Sequence, residues 1–318
     1  MHFFTDWEGP WILTDIAYEL AAAVFNNPEF FERLSQYDDY LAYVERRPGY
    51  QAGDTLRLLA PFLVAGGLTL EEIRKISYQT ARFVEDAEEA MKLLQSRYDA
   101  VVISTSYSEY LRITSEMIGV RGDIYGTSFN PEKYRIADKW KKWLLEKVDE
   151  IACLNDIDVD CPDERSVAYL NRLFWDEIRD SPFWSVMSDV KVVGSRKKRE
   201  IAERYGEKMV VAIGDSISDI EMLDYARETG GLAVAFNGNE YALKHANLAV
   251  ISSSAIAEAV VTLEFLEGGM DGVREIMECG HELLGGVDYE IHFEIDDDVI
   301  QKSIRMRRRL RGKAGELG

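Results

Sequence analysis

Cysteine is scarce in this chain of 318 residues: Cys153, Cys161 and Cys279 form an odd set without paired close spacing. That supports neither a disulfide framework nor a zinc site, and it fits a reducing compartment. Histidine is equally thin, and none of the four forms a cluster with Cys or another His. Transition-metal chemistry and a Ser-His-Asp hydrolase therefore have little support. Positive charge is in deficit, with Lys+Arg 37 against Asp+Glu 57 and a formal net charge of -20. This argues against nonspecific attraction to nucleic acid or an anionic membrane surface. No apolar run reaches membrane-spanning length, no repeat or low-complexity tract occurs, and no charged n-region with an apolar h-region precedes the first strand-like run. The expectation is a soluble cytoplasmic protein without nucleic-acid or membrane partners; a protein partner or a second copy of the chain stays open.

What is present is a chain longer than the usual single domain, with enough hydrophobic residues (47%) to fill one main core and an added module. Short β-rich runs ending in polar residues recur at His2–Thr5, Ala100–Ile103, Met209–Ile213, Leu232–Phe236 and Leu248–Ile251. Helix-like stretches separate several of them, which predicts an α/β fold: a doubly wound parallel sheet with a Rossmann-like core and helices on both faces. Between the first two runs the pattern is helical at Trp11–Phe25, Pro28–Val44, Asp54–Val64, Leu70–Thr80 and Glu85–Ser96, with Thr69 as an N-cap. So long a span needs its own packing and reads as an inserted helical cap. The expected division is a core of residues 1–20, 97–130 and 188–262, a cap of 21–96, a second, mostly helical, Trp-rich insertion of 131–187, and an extension of 263–318. The basic tail of that extension, from Arg305 to Lys313, reads as a solvated terminus or a helix pairing with the acidic body.

Two carboxylate clusters end apolar runs: Asp6-Trp7-Glu8-Gly9 and Gly214-Asp215-Ser216-Ile217-Ser218-Asp219. If those runs are neighbouring parallel strands, four acids meet at one sheet edge and need a cation. Mg²⁺ with a phosphorylated substrate satisfies them, with Asp6, Glu8, Asp215 and Asp219 as candidate ligands. A carboxylate at a strand end can attack phosphorus, which makes Asp6 the candidate nucleophile. Glu8, two residues on, could protonate the leaving oxygen and then take a proton from water; this requires its pKa to rise about two units. Gly9 permits the turn and Pro10 suits a first helical position. Ser104 after the second run, with Thr105 as the fallback, could hold a transferring phosphoryl oxygen. Lys198 could neutralise phosphoryl charge, with Lys197 and Arg196 as neighbours that blur the choice. Each of these residues also has an ordinary reading as a cap, a turn residue or a surface charge. The alternate acids Asp156, Asp158 and Asp160 suggest a calcium loop, but Cys161 stands where its glycine belongs and Val167 where its glutamate belongs.

The order of Asp6-Trp7-Glu8-Gly9, Ser104 after a strand, Lys198 before a helix, and Gly214-Asp215-Ser216-Ile217-Ser218-Asp219 resembles the haloacid dehalogenase superfamily of phosphohydrolases. The cap is similar to that of its phosphoserine-phosphatase-like branch. The stretch Arg47–Thr55 resembles archaeal sequences known as energy-converting hydrogenase A subunit R, a name implying association with a hydrogenase. The resemblance implies an Mg²⁺-dependent phosphomonoesterase acting on a small phosphorylated metabolite. It implies Asp6 as nucleophile, Glu8 as acid/base, Ser104 and Lys198 on the phosphoryl group, and Asp215 and Asp219 at the metal. Two departures stand out: Glu8 where such phosphatases usually have aspartate, and Ser104-Thr105-Ser106-Tyr107 in place of paired glycines. Arg46, Arg47 and Tyr50 are candidate cap contacts to substrate. The alternatives are a binding or assembly subunit of little activity and, against the Asp215/Asp219 pair, a metal-free halide-displacing enzyme.

Overall fold

The computed structural model describes residues 2–206 and 208–315. Seven strands form one sheet in the order β3-β2-β1-β4-β5-β6-β7: β1 (His2–Thr5), β2 (Asp99–Tyr107), β3 (Gly122–Thr127), β4 (Val211–Gly214), β5 (Leu232–Phe236), β6 (Leu248–Ser252) and β7 (Tyr289–His292). The first six run parallel, and β7 closes one edge antiparallel to β6. The chain builds outward from β1 to β3 and then returns to place β4 on the other flank of β1. The strand order thus reverses between β2, β1 and β4, where an open α/β sheet leaves a crevice at its C-terminal edge.

Period-two alternation divides the strand side chains between two cores. Phe3, Val102, Val211, Ile213, Val234 and Phe236 face one side, and Phe4, Val101, Ile103, Ala212, Ala233 and Ala235 the other. On the first side lie α1 (Ile16–Phe25), α2 (Pro28–Asp39), α3 (Thr55–Ala65), α4 (Leu70–Thr80), α5 (Ala87–Gln95) and α6 (Ser108–Met117), joined by α7 (Asp138–Ala152), α8 (Glu164–Arg172) and α9 (Phe183–Asp189). The second side is covered by α10 (Ser195–Glu203), α11 (Ile220–Glu228), α12 (Glu240–His245) and, later in the chain, α14 (Asp297–Arg311). Between them in sequence, α13 (Ile256–Cys279) packs on α5 and bends at Gly269, whose φ is 65°. No helix among the described residues is long and apolar enough to cross a membrane.

Several expectations are refined. The helix expected from Trp11 begins at Ile16, because Ile12 bridges to Phe83 and Asp15 caps the helix through Tyr18 N–H at 3.0 Å. Pro10 accordingly sits in a turn. The cap and the second insertion form one helical body, in which α7 and α9 pack on α2 and α3, and Tyr37 Oη accepts from Trp175 Nε1 at 2.8 Å. The extension after residue 262 is not an appendage: it supplies β7 and α14 to the core. The run from Asp156 to Asp160 makes no cation loop, since Asp156 pairs with Arg33 and Asp158 accepts Asp160 N–H at 2.8 Å.

Candidate active site

The site is assembled where β1, β2 and β4 end. Thr5 pairs with Val102 and Ile213, so the chain leaves β1 and β4 side by side, and Asp6 N–H still bonds Ile213 O at 2.9 Å. Two fully buried indoles hold the loop that follows: Trp7 Nε1 donates to Thr114 Oγ1 and Trp11 Nε1 to Thr5 Oγ1, both at 2.8 Å. Burying both rings with their N–H groups satisfied fixes the backbone between them. Gly9 is required there. Its φ is 108°, and a Cβ would lie 2.0 Å from Asp215 Oδ2, so only glycine lets the first loop approach the second.

Asp215, Ser216 and Asp219 form a self-supporting turn. Asp219 Oδ2 accepts the N–H groups of Asp215 and Ser216, each at 3.0 Å, while Oδ1 receives Lys198 Nζ at 2.7 Å. Lys198, fully buried at the start of α10, also reaches Asp6 Oδ2 at 3.0 Å and Ser218 Oγ at 3.1 Å. A lone buried ammonium costs several kcal/mol; two carboxylates and a hydroxyl offset that cost. Lys197 instead pairs with Glu200 at the surface, and Arg196 is exposed, so the structure places Lys198 alone of the three inside the site.

Carboxylate oxygens of Asp6, Asp215 and Asp219 lie within 4.8 Å of one another. Asp6 Oδ1 and Asp215 Oδ1 are buried without a hydrogen-bond partner, which is costly unless something cationic meets them. Burial first, and then the Asp219 charge, push Asp6 up to about 7. Two unpartnered hard oxygens suit Mg²⁺, which favours one or two carboxylates with water and phosphate oxygens. Asp6 and Asp215 would hold it. Asp219, also expected as a ligand, lies in the same cluster, with its oxygens accepting from Lys198 and from its own turn as well. Glu8 stands apart from this trio: its Oε1 accepts Ile16 N–H at 3.1 Å, and burial, followed by the nearby Asp15, raises its pKa to about 8. Burial thus favours the protonated carboxyl.

Ser104 lies within β2, not after it, because β2 continues to Tyr107 across a register shift. Its buried hydroxyl makes two long contacts, donating to Ser106 Oγ at 3.3 Å and accepting Ser106 N–H at 3.4 Å. Thr105 spends its hydroxyl on Val193 O at 3.2 Å. Above these groups is a cavity of about 120 Å³, lined on the sheet side by Asp6, Glu8, Ser104, Asp215 and Ser218. The cap contributes Ser35, Asp38, Asp39, Gly53 and Leu56 to the opposite wall. Arg46, Arg47 and Tyr50 do not line it: Arg47 bonds Asn171 at 2.7 Å and covers the Trp175 ring at 4.2 Å, Tyr50 bonds Asp38, and Arg46 is exposed. Arg47, and Tyr50 through its ring against Trp175, knit the cap to the second insertion.

Two residues in the cavity wall were not anticipated from the sequence. Arg307 and Arg311 extend from α14, 3% and 7% exposed, and both reach Asp215 Oδ2, Arg311 at 3.0 Å. A signal existed in the periodicity: Ile300, Ser303, Arg307 and Arg311 lie on one buried helical face.

A solved structure of the gene product AF1437 from Archaeoglobus fulgidus matches over 100% of this chain and 98% of that one, with 46% identity and a TM-score of 0.90. Structures of phosphoserine phosphatase, as the apo form and as a phospho-aspartyl intermediate analogue, cover 79% of this chain and 91% of theirs, at 16% and 17% identity and TM-scores of 0.45 and 0.46. No family model matches the chain, nor does any curated protein.

Proposed function

The chain belongs to the family of the Archaeoglobus fulgidus gene product AF1437, and we propose that it is an Mg²⁺-dependent phosphomonoesterase acting on a small phosphorylated metabolite through an aspartyl-phosphate. One observation carries this reading: Asp6, at a strand end and on the cavity wall, has one oxygen held by Lys198 at 3.0 Å and the other buried with no partner. In the first step one carboxylate oxygen of Asp6 forms a bond to phosphorus while the bond to the leaving oxygen breaks. Glu8, in its acid form, gives that oxygen its proton. In the second step the Glu8 carboxylate takes a proton from water, the resulting hydroxide attacks phosphorus, the bond to Asp6 breaks, and phosphate leaves. Lys198 and the Ser104 hydroxyl answer the charge on the phosphoryl oxygens. When bound, Mg²⁺ supplies further positive charge to those oxygens and favours the ionised form of Asp6.

The test is a panel of phosphorylated metabolites with and without Mg²⁺, run on the unaltered protein and on Asp6→Asn. Mg²⁺-dependent phosphate release that disappears in the variant is the expected result; equal release by both proteins removes Asp6 as nucleophile. A second reading, a phosphatase scaffold serving as a binding or assembly subunit, is supported by Arg307 and Arg311, which already neutralise Asp215. No turnover of any panel member would favour it.

A further inference from the structure

Arg307 and Arg311 occupy an unusual position. They are four residues apart on one face of α14, both are buried, and both place Nη1 on the same oxygen, Asp215 Oδ2. Two like charges brought to one atom repel each other and give up hydration, so the arrangement is not explained by stability alone. Nor are the side chains free to wander. Arg307 donates Nε to Gly315 O at 3.0 Å and Nη1 to Asp215 O at 3.2 Å, and Arg311 donates Nε to Leu13 O at 3.3 Å. The helix that carries them is seated by Val299 and Ile300 in the core and by Ser303 Oγ, which bonds Gly238 O at 2.8 Å.

Their effect is clearest in the charge count of the wall. Asp6, Asp215 and Asp219 meet Lys198, Arg307 and Arg311 within one buried network, so part of the acidic charge that would hold a cation is already answered by fixed cations. A divalent cation entering this set adds two positive charges beside two fixed guanidinium groups. A phosphoryl dianion entering alone adds two negative charges. Together they cancel, and charges buried this deeply are poorly screened by salt. We propose that Arg307 and Arg311 are positioning residues that weaken the hold of Asp215 on its divalent cation, so that cation and phosphoryl dianion bind interdependently. The inference rests on the phosphatase reading in one respect, that the cation uses Asp215.

Calorimetric titration tests it without turnover. Mg²⁺ is titrated into the full chain with and without saturating inorganic phosphate, and phosphate with and without Mg²⁺. In the unaltered protein each ligand tightens the other tenfold or more, by the same factor as linkage demands. Arg311→Gln, which keeps much of the side chain's length and a hydrogen bond, binds Mg²⁺ alone tenfold or more tightly than the unaltered protein and shows weaker coupling. Arg307→Gln goes further in the same direction; if it does not fold, Arg311→Gln and the coupling in the unaltered protein still decide. Equal Mg²⁺ affinity in Arg311→Gln and the unaltered protein, or Mg²⁺ binding indifferent to phosphate, overturns the inference and leaves the phosphatase reading standing. Mg²⁺ binding that survives Asp215→Asn removes the shared premise instead.

Discussion

The two walls of the cavity treat charge in opposite ways. On the sheet side every carboxylate of the reacting trio has a buried cation against it: Lys198 on Asp6 and Asp219, and Arg307 and Arg311 on Asp215. On the cap side Asp38 is answered only by hydrogen bonds, from Tyr50 Oη at 2.5 Å and Gly53 N–H at 2.9 Å. Asp39 beside it has no ion pair among the described residues, and burial raises it to about 6. The contrast teaches a division of labour. Fixed dipoles and charges serve a group whose charge changes during reaction, because they need not reorganise. The cap wall, with Asp38 and Asp39 and no cation among its described lining residues, lacks that matching.

The most damaging way to break this contrast is to remove a cation from the sheet side. Lys198→Met leaves Asp6 and Asp219 facing each other in a buried site, and the expected loss is about 3–5 kcal/mol of stability, read from the denaturant midpoint. A loss under about 1 kcal/mol would mean that the wall is not charge-matched. Next comes Glu8, whose carboxyl burial raises to about 8. Glu8→Gln should lower turnover by about 10²–10⁴-fold. In the unaltered protein kcat/KM should fall on the alkaline side with a midpoint at or below about 8, the value to which burial raises this carboxyl. The sign follows from the role. The proton is present to be given below that pH and absent above it, and the same raised pKa favours folding at low pH and ceases to do so as pH rises through about 8. An alkaline limb unchanged in Glu8→Gln would assign the proton to another group.

The smallest effect sharpens the cap side. Asp39→Asn removes a half-buried negative charge without touching the trio, so kcat should hold while KM for a monoester with a carboxylate-bearing leaving group falls by a factor of about two to five. An equal change for a neutral leaving group would show that Asp39 acts by shape, not charge.

How much of this was legible before folding varied with burial. The five apolar runs became β1, β2, β4, β5 and β6, since strands buried on both faces spell themselves as continuous hydrophobic runs. The edge strands β3 and β7 escaped notice because Gly122–Thr127 and Tyr289–His292 are half-exposed and mix polar with apolar residues. Cap helices were legible through their ends: Thr69 makes the reciprocal capping bonds with Glu72 that its spacing suggests. Arg46, Arg47 and Tyr50, readable from sequence equally as substrate contacts or surface residues, are not among the cavity's lining residues: a cap arginine next to a turn can face either way, and Arg47 stacks over Trp175 instead.

By itself the order of residues determined which side chains stand at strand ends, because backbone hydrogen bonding and the alternation of apolar groups act over short stretches of chain. It thus placed Asp6, Lys198 and Asp215 as candidates. What it left undecided was everything set by helix phase and long-range packing: that Asp219 divides its oxygens between Lys198 and its own turn, that the cap and the second insertion are one body, and that two of many arginines near the C-terminus come to rest on Asp215. Arg305, Arg308 and Arg309 have the same chemistry as Arg307 and Arg311. Only the seating of α14 against the sheet decides which of them leave water, because burial is a property of the assembled fold and not of the residue.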